Sequence, residues 1–437
     1  MDETKDTANQ AAQQKRVLAA DTNKHPGARI SLSGWVHKIR NLGKVNFVLL
    51  RDRSGLVQIV YDENPGITNE SVITVTGTVR ENEKAPGGYE VHAEKTEILA
   101  AAATDLPVSV NQNPENLNID ALLDNRMLTL RNPKIRSIFS LQASLVQYFA
   151  EYMRSEDFTE IKTSKIIGTG TEGGTGLFTV EYFDTNVYLA QSPQFYKQAM
   201  VASGFERVFE IGNAYRAEKH ETPRHLNEYV SLDVEMGFIQ DENDLMDLEV
   251  RILKHIFSEV RKNNQPQLQV WNADVPDPES MDSTPRIAHD EAKKIISERL
   301  GQRVFEINPE GERVLCEWAQ ENYNVPLIFV HSFPRKKRPF YTYPRGRKTA
   351  SFDLLFRGLE ITTGGRRINE YEMLKEALPK FGMTEEGLGA YAHIFRYGCP
   401  PHGGFAIGLE RLTQKIIGLA NVKEASLFPR DRKRINP

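Results

Sequence analysis

The sequence is poor in cysteine: Cys316 and Cys399 are the two cysteines among 437 residues. They lie far apart and match no metal-binding spacing, so we expect a reduced, cytoplasmic setting. The sequence also lacks an apolar run of 18 residues and a charged-then-apolar leader, and we therefore expect neither a membrane span nor a secretion signal. No GxxxxGK[ST] pattern occurs, which argues against a P-loop nucleotide site.

Neither sign of charge dominates, because 55 lysines and arginines oppose 59 aspartates and glutamates, for a formal net charge of −4. A nucleic-acid partner would therefore have to be held by a local basic surface rather than by the charge of the whole chain. The composition, with 40% hydrophobic and 26% charged residues, is that of a globular protein, and the length allows two or three domains.

Four regions differ in texture along the chain. Residues 1–27 are polar and have no clear apolar period, which predicts an N-terminal extension. Residues 28–104 hold five short runs rich in β-branched residues, separated by turn residues, and these predict a small closed barrel. Residues 105–130 are rich in proline and asparagine and are predicted as a hinge, and residues 131–437 as one large unit.

The large unit contains both helical and strand-like segments, without the regular β-α-β alternation of a parallel sheet. A nucleotide that binds there would therefore sit on an antiparallel sheet. The predicted fold class is α+β, with an N-terminal OB-fold-like barrel and an antiparallel sheet flanked by helices.

The stretch YRAEKHETPRHLNE, residues 215–228, concentrates charge between two strand-like segments. Arg216 and Glu218 come as the first strand ends, and Arg224 and His225 come as the return strand begins. A solvated hairpin tip would explain such charges. Cations on both arms also suit a phosphate ligand, since arginine has a planar fork and a permanent charge.

This stretch and the YVSLDVEM that follows it resemble motif 2 of class II aminoacyl-tRNA synthetases, in the form found in aspartyl-tRNA synthetases of the archaeal and eukaryotic kind. GGFAIGLERL is similar to motif 3 of that class, and TEGGTGLF, SPQFYKQ, FDLLFRGLEITTGG and FRYGCPPHGGF match the family in its order. The resemblance extends from about residue 28 to the terminal LFPRDRKRINP. It implies a homodimeric enzyme that joins L-aspartate to tRNA through aspartyl-adenylate, with ATP and Mg²⁺.

The resemblance also implies the residues of the ATP site. Arg216 would grip the α-phosphate and the substrate carboxylate, and Glu218 would accept a hydrogen bond from the adenine amino group. The outer phosphates and the far side of ATP would be held by cations, with a glycine that lets the nucleotide approach the backbone. The implied ATP-binding residues are Arg216, Glu218, Arg224, His225, Glu360, Gly408 and Arg411, with Arg216 and Arg411 as the catalytic pair. Taken alone, Arg411 would be an ordinary arginine on a helix face.

Glu360 and Thr363 lie three residues apart in LEITTGG, and a carboxylate and a hydroxyl at that spacing can share a hard cation. The family uses this pair to hold Mg²⁺ between phosphates, usually with serine in place of Thr363. The alternative is a strand end with a solvated glutamate.

We expect the amino-acid pocket to recognise its substrate by the charge of the substrate's side chain. Lys197 follows Ser192 and Pro193, the predicted N-cap and first position of a helix, and the helix dipole disfavours a cation so near the start. By resemblance, Lys197 and Arg367 bind the side-chain carboxylate of aspartate. Asparagine would leave two buried cations unpaired, at a cost of roughly 3–5 kcal/mol. The implied aspartate-binding residues are Glu172, Gln194, Lys197, Arg216, Asp233, Thr363 and Arg367, with Glu172 on a loop that closes over the substrate. Without the resemblance, Lys197 would be a surface lysine.

The predicted barrel is similar to the anticodon-binding domain of the family. Residues 37–53 carry five basic side chains against one aspartate, so basic groups could track phosphates while Phe47 stacks on a base and Gln58 reads a base edge. The alternative is that Phe47 belongs to the barrel core. A second basic run, residues 335–348, is interpreted as a solvated loop, with contact to the tRNA acceptor end as the alternative.

His37 and Pro86 bear on the choice of tRNA. Family members restricted to the aspartate tRNA tend to have tryptophan and lysine at these two positions. Histidine and proline indicate the relaxed subgroup, which also charges tRNA(Asn) with aspartate and depends on an amidotransferase to complete Asn-tRNA. The alternatives are an enzyme restricted to tRNA(Asp), a relative that transfers activated aspartate to a small acceptor, and a tRNA-binding or regulatory protein without activity.

Four positions depart from the family pattern. Ser164 occupies the place of a motif 1 proline that supports the dimer interface, and Asp157 replaces a usual glycine. Asn213 stands where proline is common, and Arg366 replaces a glutamine beside Arg367. None of these changes removes a residue with an implied chemical role.

Overall fold

The computed structural model of the protein describes residues 15–43, 45–171, 176–219 and 221–436. Two predictions concern residues outside these ranges: Glu172 and the first 14 residues of the N-terminal extension. The chain divides into two compact units, Met1–Ile135 and Arg136–Pro437.

The first unit is built on a closed five-stranded barrel, as predicted. The strand order is β1-β2-β3-β5-β4, and β4 pairs with β1 to close the barrel. Alternate residues of the strands, such as Val48, Ile59 and Val75, fill its core. The strands are β1 (Arg29–Leu42), β2 (Val45–Arg51), β3 (Leu56–Tyr61), β4 (Val72–Glu81) and β5 (Tyr89–Ala100).

The segments on either side of the barrel strands have regular structure of their own. A 3-10 helix, Ala19–Lys24, lies within the predicted extension, and the Ala19 backbone N–H donates to Asp52 Oδ2 at 2.8 Å. The predicted hinge contains helices α1 (Ile119–Asp124) and α2 (Arg126–Thr129). The described part of the extension and the hinge are therefore folded parts of the first unit.

The second unit contains most of the helices and a large sheet. The remaining helices are α3 (Pro133–Ser155), α4 (Gln194–Met200), α5 (Glu242–Asn263), α6 (Gln265–Trp271), α7 (His289–Leu300), α8 (Pro309–Tyr323), α9 (Tyr371–Ala377), α10 (Glu385–Leu388), α11 (Ala390–Arg396) and α12 (Leu409–Ile417). The remaining strands are β6 (Thr159–Glu160), β7 (Ile166–Ile167), β8 (Thr179–Tyr182), β9 (Thr185–Leu189), β10 (Arg207–Tyr215), β11 (Glu228–Gly237), β12 (Arg286–Ala288), β13 (Leu327–His331), β14 (Pro344–Arg345), β15 (Lys348–Thr349), β16 (Ser351–Phe356), β17 (Leu359–Arg366) and β18 (His402–Gly408).

Eight strands form the main sheet in the order β12-β13-β16-β17-β18-β11-β10-β6. The two outermost pairs are parallel, and the strands between them are antiparallel. This arrangement confirms the α+β prediction and the antiparallel sheet. None of the helices in the described ranges is both long and apolar enough to cross a membrane.

The two faces of β11 are separated as its alternating sequence predicts. Leu232 and Val234 are fully buried in a core that includes residues of α3, α5 and α12. Asp233 and Glu235 point to the opposite face, where they are also buried. That second face is therefore not a solvated sheet surface but the wall of a cavity.

Candidate active site

A cavity of about 610 Å³ lies on the polar face of the antiparallel sheet. The structure brings together around it the described residues that were predicted to bind ATP, aspartate and metal. These residues are Gln194, Lys197, Arg216, Glu218, Arg224, His225, Asp233, Glu360, Thr363, Arg367, Gly408 and Arg411.

The charged stretch at residues 215–228 forms the predicted hairpin connection. Tyr215 pairs with Glu228 as the last rung of β10 and β11. The chain stays closed just beyond that rung, because Arg216 N–H donates to Asn227 O at 2.8 Å and Asn227 Nδ2 donates back to Arg216 O at 2.9 Å. The Arg216 guanidinium lies 5.5 Å from the centre of the Tyr229 ring. These contacts hold the base of the loop against the cavity.

Arg411 connects the hairpin loop to β17 at the end of the cavity lined by Arg224 and His225. Its guanidinium donates to Glu360 O at 2.9 Å and to Arg224 O at 3.4 Å. Burial lowers the pKa of His225, and the charge of Arg411 lowers it further, so the ring is neutral near pH 7. Arginines therefore carry the positive charge of this end, and His225 contributes hydrogen bonds.

Glu312 of α8 reaches the same end, and the sequence analysis did not identify it. Its Oε2 accepts hydrogen bonds from the Arg224 side chain and, at 3.0 Å, from the Glu360 backbone N–H. Burial raises the pKa of this carboxyl, while Arg224 opposes that rise. A glutamate in an amphipathic helix carries no sequence signal that would separate it from its neighbours.

The carboxylate of Asp353 lies beside the predicted metal pair. Thr363 Oγ1 lies 3.3 Å from Glu360 Oε1 and 2.9 Å from Asp353 Oδ1. Burial raises the pKa of Asp353, and the charge of Glu360 adds to the rise. Asp353 was not predicted, although an aspartate in the otherwise apolar run FDLLF is a signal that could have identified it.

Lys197 lies deep at the other end of the cavity. Helix α4 begins at Gln194 with Pro193 as its N-cap, so the prediction of Ser192 as N-cap was wrong by one position. The buried Lys197 ammonium lies 3.0 Å from Asp233 Oδ1 and 3.3 Å from Glu235 Oε2. The anionic partner that a cation at this place requires is thus supplied in part by the protein.

Glu235 connects the two predicted aspartate-binding cations. It is fully buried, and it faces Lys197 and accepts from Arg367 Nε at 3.0 Å. Burial alone would raise its pKa, but Arg367 and Lys197 together hold the pKa below its usual value. Gly404 makes room for it, because a Cβ there would lie 2.2 Å from Glu235 Oε2. The strand alternation places Glu235 beside Asp233, which was the available signal.

Because Asp233 and Glu235 pair with the two cations, the free-energy cost of binding asparagine is smaller than predicted from the sequence. Lys197 and Arg367 each have a carboxylate partner in the structure, so a neutral ligand would not leave two cations unpaired. The predicted 3–5 kcal/mol is therefore too large. Lys197 and Arg367 offer only hydrogen-bond donors, but the Asp233 and Glu235 carboxylates beside them can accept from an amide NH₂, which weakens the selection against asparagine.

Gln194 and Gly408, predicted for the aspartate and ATP sites, both line the cavity. Gln194 is buried, and its Nε2 donates to Gln198 Oε1 at 2.9 Å. Gly408 has an ordinary negative φ, and a Cβ there would meet no atom closer than 3.7 Å. Its glycine character is thus not needed by the backbone, and it leaves open space beside the cavity.

The basic run at 335–348 contributes to the cavity wall, which the solvated-loop interpretation did not anticipate. Lys336, Lys337 and Arg338 line the cavity, and Arg338 lies 2.8 Å from Asp353 Oδ2. Arg345 forms an ion pair with Glu242. The run is therefore partly paired and partly turned towards the site.

The barrel presents several of the predicted anticodon residues on its outer face. Phe47 is opposite Arg40 of β1, and Leu49 is opposite Gln58 of β3. Phe47 is half-buried and does not belong to the barrel core. Gln58 Nε2 already donates to Glu90 Oε2 at 2.9 Å. Pro86 is exposed in the connection between β4 and β5.

The structure does not place His37 on that outer face. A bulge in β1 between Val36 and Lys38 turns it away, and it is only 9% exposed. Its Nδ1 lies 2.7 Å from Arg51, which also binds Glu70. Burial and the charge of Arg51 lower the pKa of His37, so the neutral ring accepts from the guanidinium.

Three of the departures from the family pattern have a structural description. Asp157 has a φ of 61°, in the left-handed region that favours glycine. Ser164 is exposed and bonds to Ile166 O at 3.0 Å. Arg366 lies over the Tyr343 ring and donates to Gln240 O.

Comparisons with known proteins agree with this arrangement. Residues 118–432 match the family described as tRNA synthetases class II (D, K and N), and residues 30–99 match the OB-fold nucleic acid binding domain. The chain belongs to the class II tRNA synthetases of this group, which confirms the resemblance inferred from the sequence.

Within that class the chain is similar to proteins named aspartate–tRNA(Asp/Asn) ligase. The one from Thermus thermophilus is 49% identical over 97% of this chain and 100% of the relative, and the one from Deinococcus radiodurans is 45% identical over 97% and 99%. Among solved structures, asparaginyl-tRNA synthetase from Pyrococcus horikoshii complexed with asparaginyl-adenylate has a TM-score of 0.88 and 30% identity, covering 95% of this chain and 97% of that one.

Proposed function

We propose that the protein ligates L-aspartate to tRNA in two steps, forming aspartyl-adenylate from ATP and then transferring the aspartyl group to the terminal ribose. The observation that carries the proposal is that one cavity is lined by two groups of cations, Lys197 with Arg367 and Arg224 with Arg411, which suit a carboxylate and a phosphate. Arg216 lines the same cavity. Since a carboxylate is already an adequate nucleophile, the protein has to align two anions and neutralise their charge.

The ATP would lie along the end of the cavity formed by the hairpin loop and α12. Arg216 would grip the α-phosphate and the reacting carboxylate, and Glu218 would accept from the adenine amino group. Arg224, His225 and Arg411 would contact the outer phosphates. The Nδ1 atom of His225 lies 2.6 Å from Thr222 Oγ1, so Nε2 is the ring nitrogen that would face a phosphate.

Glu360 and Thr363 fit a Mg²⁺ ion, because a carboxylate and a hydroxyl oxygen lie 3.3 Å apart on the cavity wall, while the nearby Asp353 pairs with Arg338. A bound Mg²⁺ would neutralise charge on neighbouring phosphates. The protein's own contribution is the placement of these oxygens, with Glu360 fixed through its backbone by Arg411 and Glu312.

Aspartate would enter with its side-chain carboxylate towards Lys197 and Arg367, and Gln194 and Asp233 would orient the rest of the molecule. Glu172, outside the described residues, keeps its predicted role towards the ammonium group. The two cations favour a carboxylate over an amide, and the neighbouring Asp233 and Glu235 carboxylates reduce that preference.

The outer face of the barrel would bind the anticodon, with Phe47 stacking on a base and Lys38 and Arg40 near phosphates. Acceptance of both tRNA(Asp) and tRNA(Asn) is supported by His37 and Pro86 and by the names of the relatives. Because His37 is buried against Arg51, it would act by setting the barrel conformation. A homodimer, a cytoplasmic location and a downstream amidotransferase belong to the same proposal.

The test has two stages. Purified protein should catalyse pyrophosphate exchange into ATP that depends on aspartate and Mg²⁺, and absence of exchange would refute the ligase. It should then charge transcripts of both tRNA(Asp) and tRNA(Asn) with labelled aspartate. Charging of tRNA(Asp) alone would leave a restricted ligase, and exchange without charging of either would favour transfer to a small acceptor.

A further inference from the structure

We propose that Glu312 is a positioning residue of the ATP site, which holds Arg224 and the backbone of Glu360 in the places where they meet the outer phosphates and their metal ion. This inference rests on the proposed function, since it assumes that Arg224 and Glu360 act on ATP. Nothing in the family resemblance assigned a role to Glu312 or to α8.

Four residues form a closed ring of hydrogen bonds. Glu312 Oε2 accepts from the Arg224 guanidinium and from Glu360 N–H. Arg411 completes the ring by donating to Glu360 O at 2.9 Å and to Arg224 O at 3.4 Å. Glu312 alone in the ring accepts from both Arg224 and Glu360 through its side chain, so its loss would remove one bond to each of them and leave the bonds from Arg411.

The position of Glu312 makes it a rigid support. It is 8% exposed and lies in the first turn of α8, where Asn308 caps the helix by accepting from Gly311 N–H at 2.8 Å. A carboxylate is favourable near the start of a helix. Helix α8 also packs with α7 and the sheet through buried apolar residues, which fix the backbone that carries Glu312.

The expected consequence is a defect confined to ATP. A hydrogen bond to a charged group contributes about 1.5–3 kcal/mol, which corresponds to roughly 10- to 100-fold in affinity. Glu312→Gln keeps an oxygen for the Glu360 N–H but loses the charge that faces Arg224, so KM for ATP should rise about tenfold. Glu312→Ala loses both contacts and should raise it toward 100-fold, while KM for aspartate changes less than about twofold.

The experiment measures aspartate-dependent pyrophosphate exchange by the full-length protein, with KM for ATP, KM for aspartate and kcat determined separately. Glu310→Gln is the matched control, because it removes an exposed carboxylate from the same helical turn. It should leave all three parameters unchanged.

A double-mutant cycle separates positioning from a general structural role. In an Arg224→Ala background, Glu312→Ala should raise KM for ATP by about tenfold instead of about 100-fold, since only its contact with the Glu360 N–H remains to be lost. Additive effects, or equal rises in the KM values of ATP and aspartate, would overturn the inference. So would an unchanged KM for ATP in Glu312→Gln, which remains informative if Glu312→Ala does not fold. If the parent protein catalyses no exchange, the proposed function fails instead.

Discussion

Replacing Glu235 with glutamine removes the negative charge between Lys197 and Arg367 while keeping the size of the side chain. Glu235 is fully buried, 3.3 Å from the Lys197 ammonium and 3.0 Å from Arg367 Nε. Removing one partner of a buried ion pair costs about 3–5 kcal/mol. Glutamine retains one acceptor oxygen, and Asp233 still faces Lys197 at 3.0 Å. We therefore expect a loss of about 3 kcal/mol in the free energy of unfolding without ligand.

Aspartate should recover part of this loss, because its side-chain carboxylate brings a negative charge to the same two cations. Urea unfolding of the variant and the parent protein, with and without saturating aspartate, measures this effect. The stability deficit of the variant should shrink by about 1–2 kcal/mol when aspartate is added, and asparagine should not reduce it. If the Glu235→Gln variant were less stable than the parent by the same amount with and without aspartate, the idea that the substrate and Glu235 both supply negative charge to Lys197 and Arg367 would be refuted.

Glu249→Gln is the control for burial of a glutamate. Glu249 of α5 is fully buried, and burial raises its pKa to about 8, so it is mostly neutral in the folded protein at pH 7. Its replacement by glutamine removes little charge and should not lower stability at that pH. A loss of 3 kcal/mol in this variant as well would mean that glutamine is simply tolerated poorly at buried sites.

Three further predictions concern other parts of the molecule. The pKa of Glu249 is about 8 in the folded protein against an ordinary 4.5, so its contribution to stability is full below pH 4.5 and is lost as the pH rises through 8. In urea unfolding, the free energy of unfolding of Glu249→Gln should therefore gain on the order of 4 kcal/mol relative to the parent between pH 4.5 and pH 9. Parallel plots of stability against pH for the two proteins would contradict this. Phe47→Ala should weaken tRNA binding by about 1–3 kcal/mol in filter-binding assays while leaving pyrophosphate exchange unchanged, and a loss of exchange would instead indicate damage to the fold. Asp157→Gly should raise the free energy of unfolding by about 1 kcal/mol, since it relieves a left-handed backbone at φ 61°; Gly204→Ala, at φ 93°, should lower it.

The sequence predicts those parts of the structure that depend on local pattern. The five barrel strands follow from short β-branched runs between turn residues, and the two faces of β11 follow from strict alternation. The site residues of the second unit gather because the family motifs fall at the ends of neighbouring strands. Gly408, for example, ends β18, which pairs with β11, and Arg411 lies in the helix that follows.

The sequence does not predict contacts that depend on side-chain direction or on distant packing. The alternation of side chains along β1 predicts that His37 faces outward, but a single bulge in the strand turns its side chain inward against Arg51. Glu312 meets Arg224 across 88 positions of sequence. Such a contact exists only after α8 has docked, and composition and periodicity carry no record of it.

The three carboxylates that the sequence analysis missed explain how one cavity can hold so many cations before any anion arrives. A buried arginine or lysine without a partner is costly, so each end of the site supplies its own carboxylate: Glu235 for Lys197 and Arg367, Asp353 for Arg338, and Glu312 for Arg224. These partners fix the donors in place and leave them to share their charge with an incoming anion. An incoming aspartate or ATP must compete with these carboxylates for the cations. Its affinity therefore depends on the difference between the cation–carboxylate contacts within the protein and the cation–ligand contacts. The carboxylates that pair with the cations thus determine selectivity as much as the cations themselves.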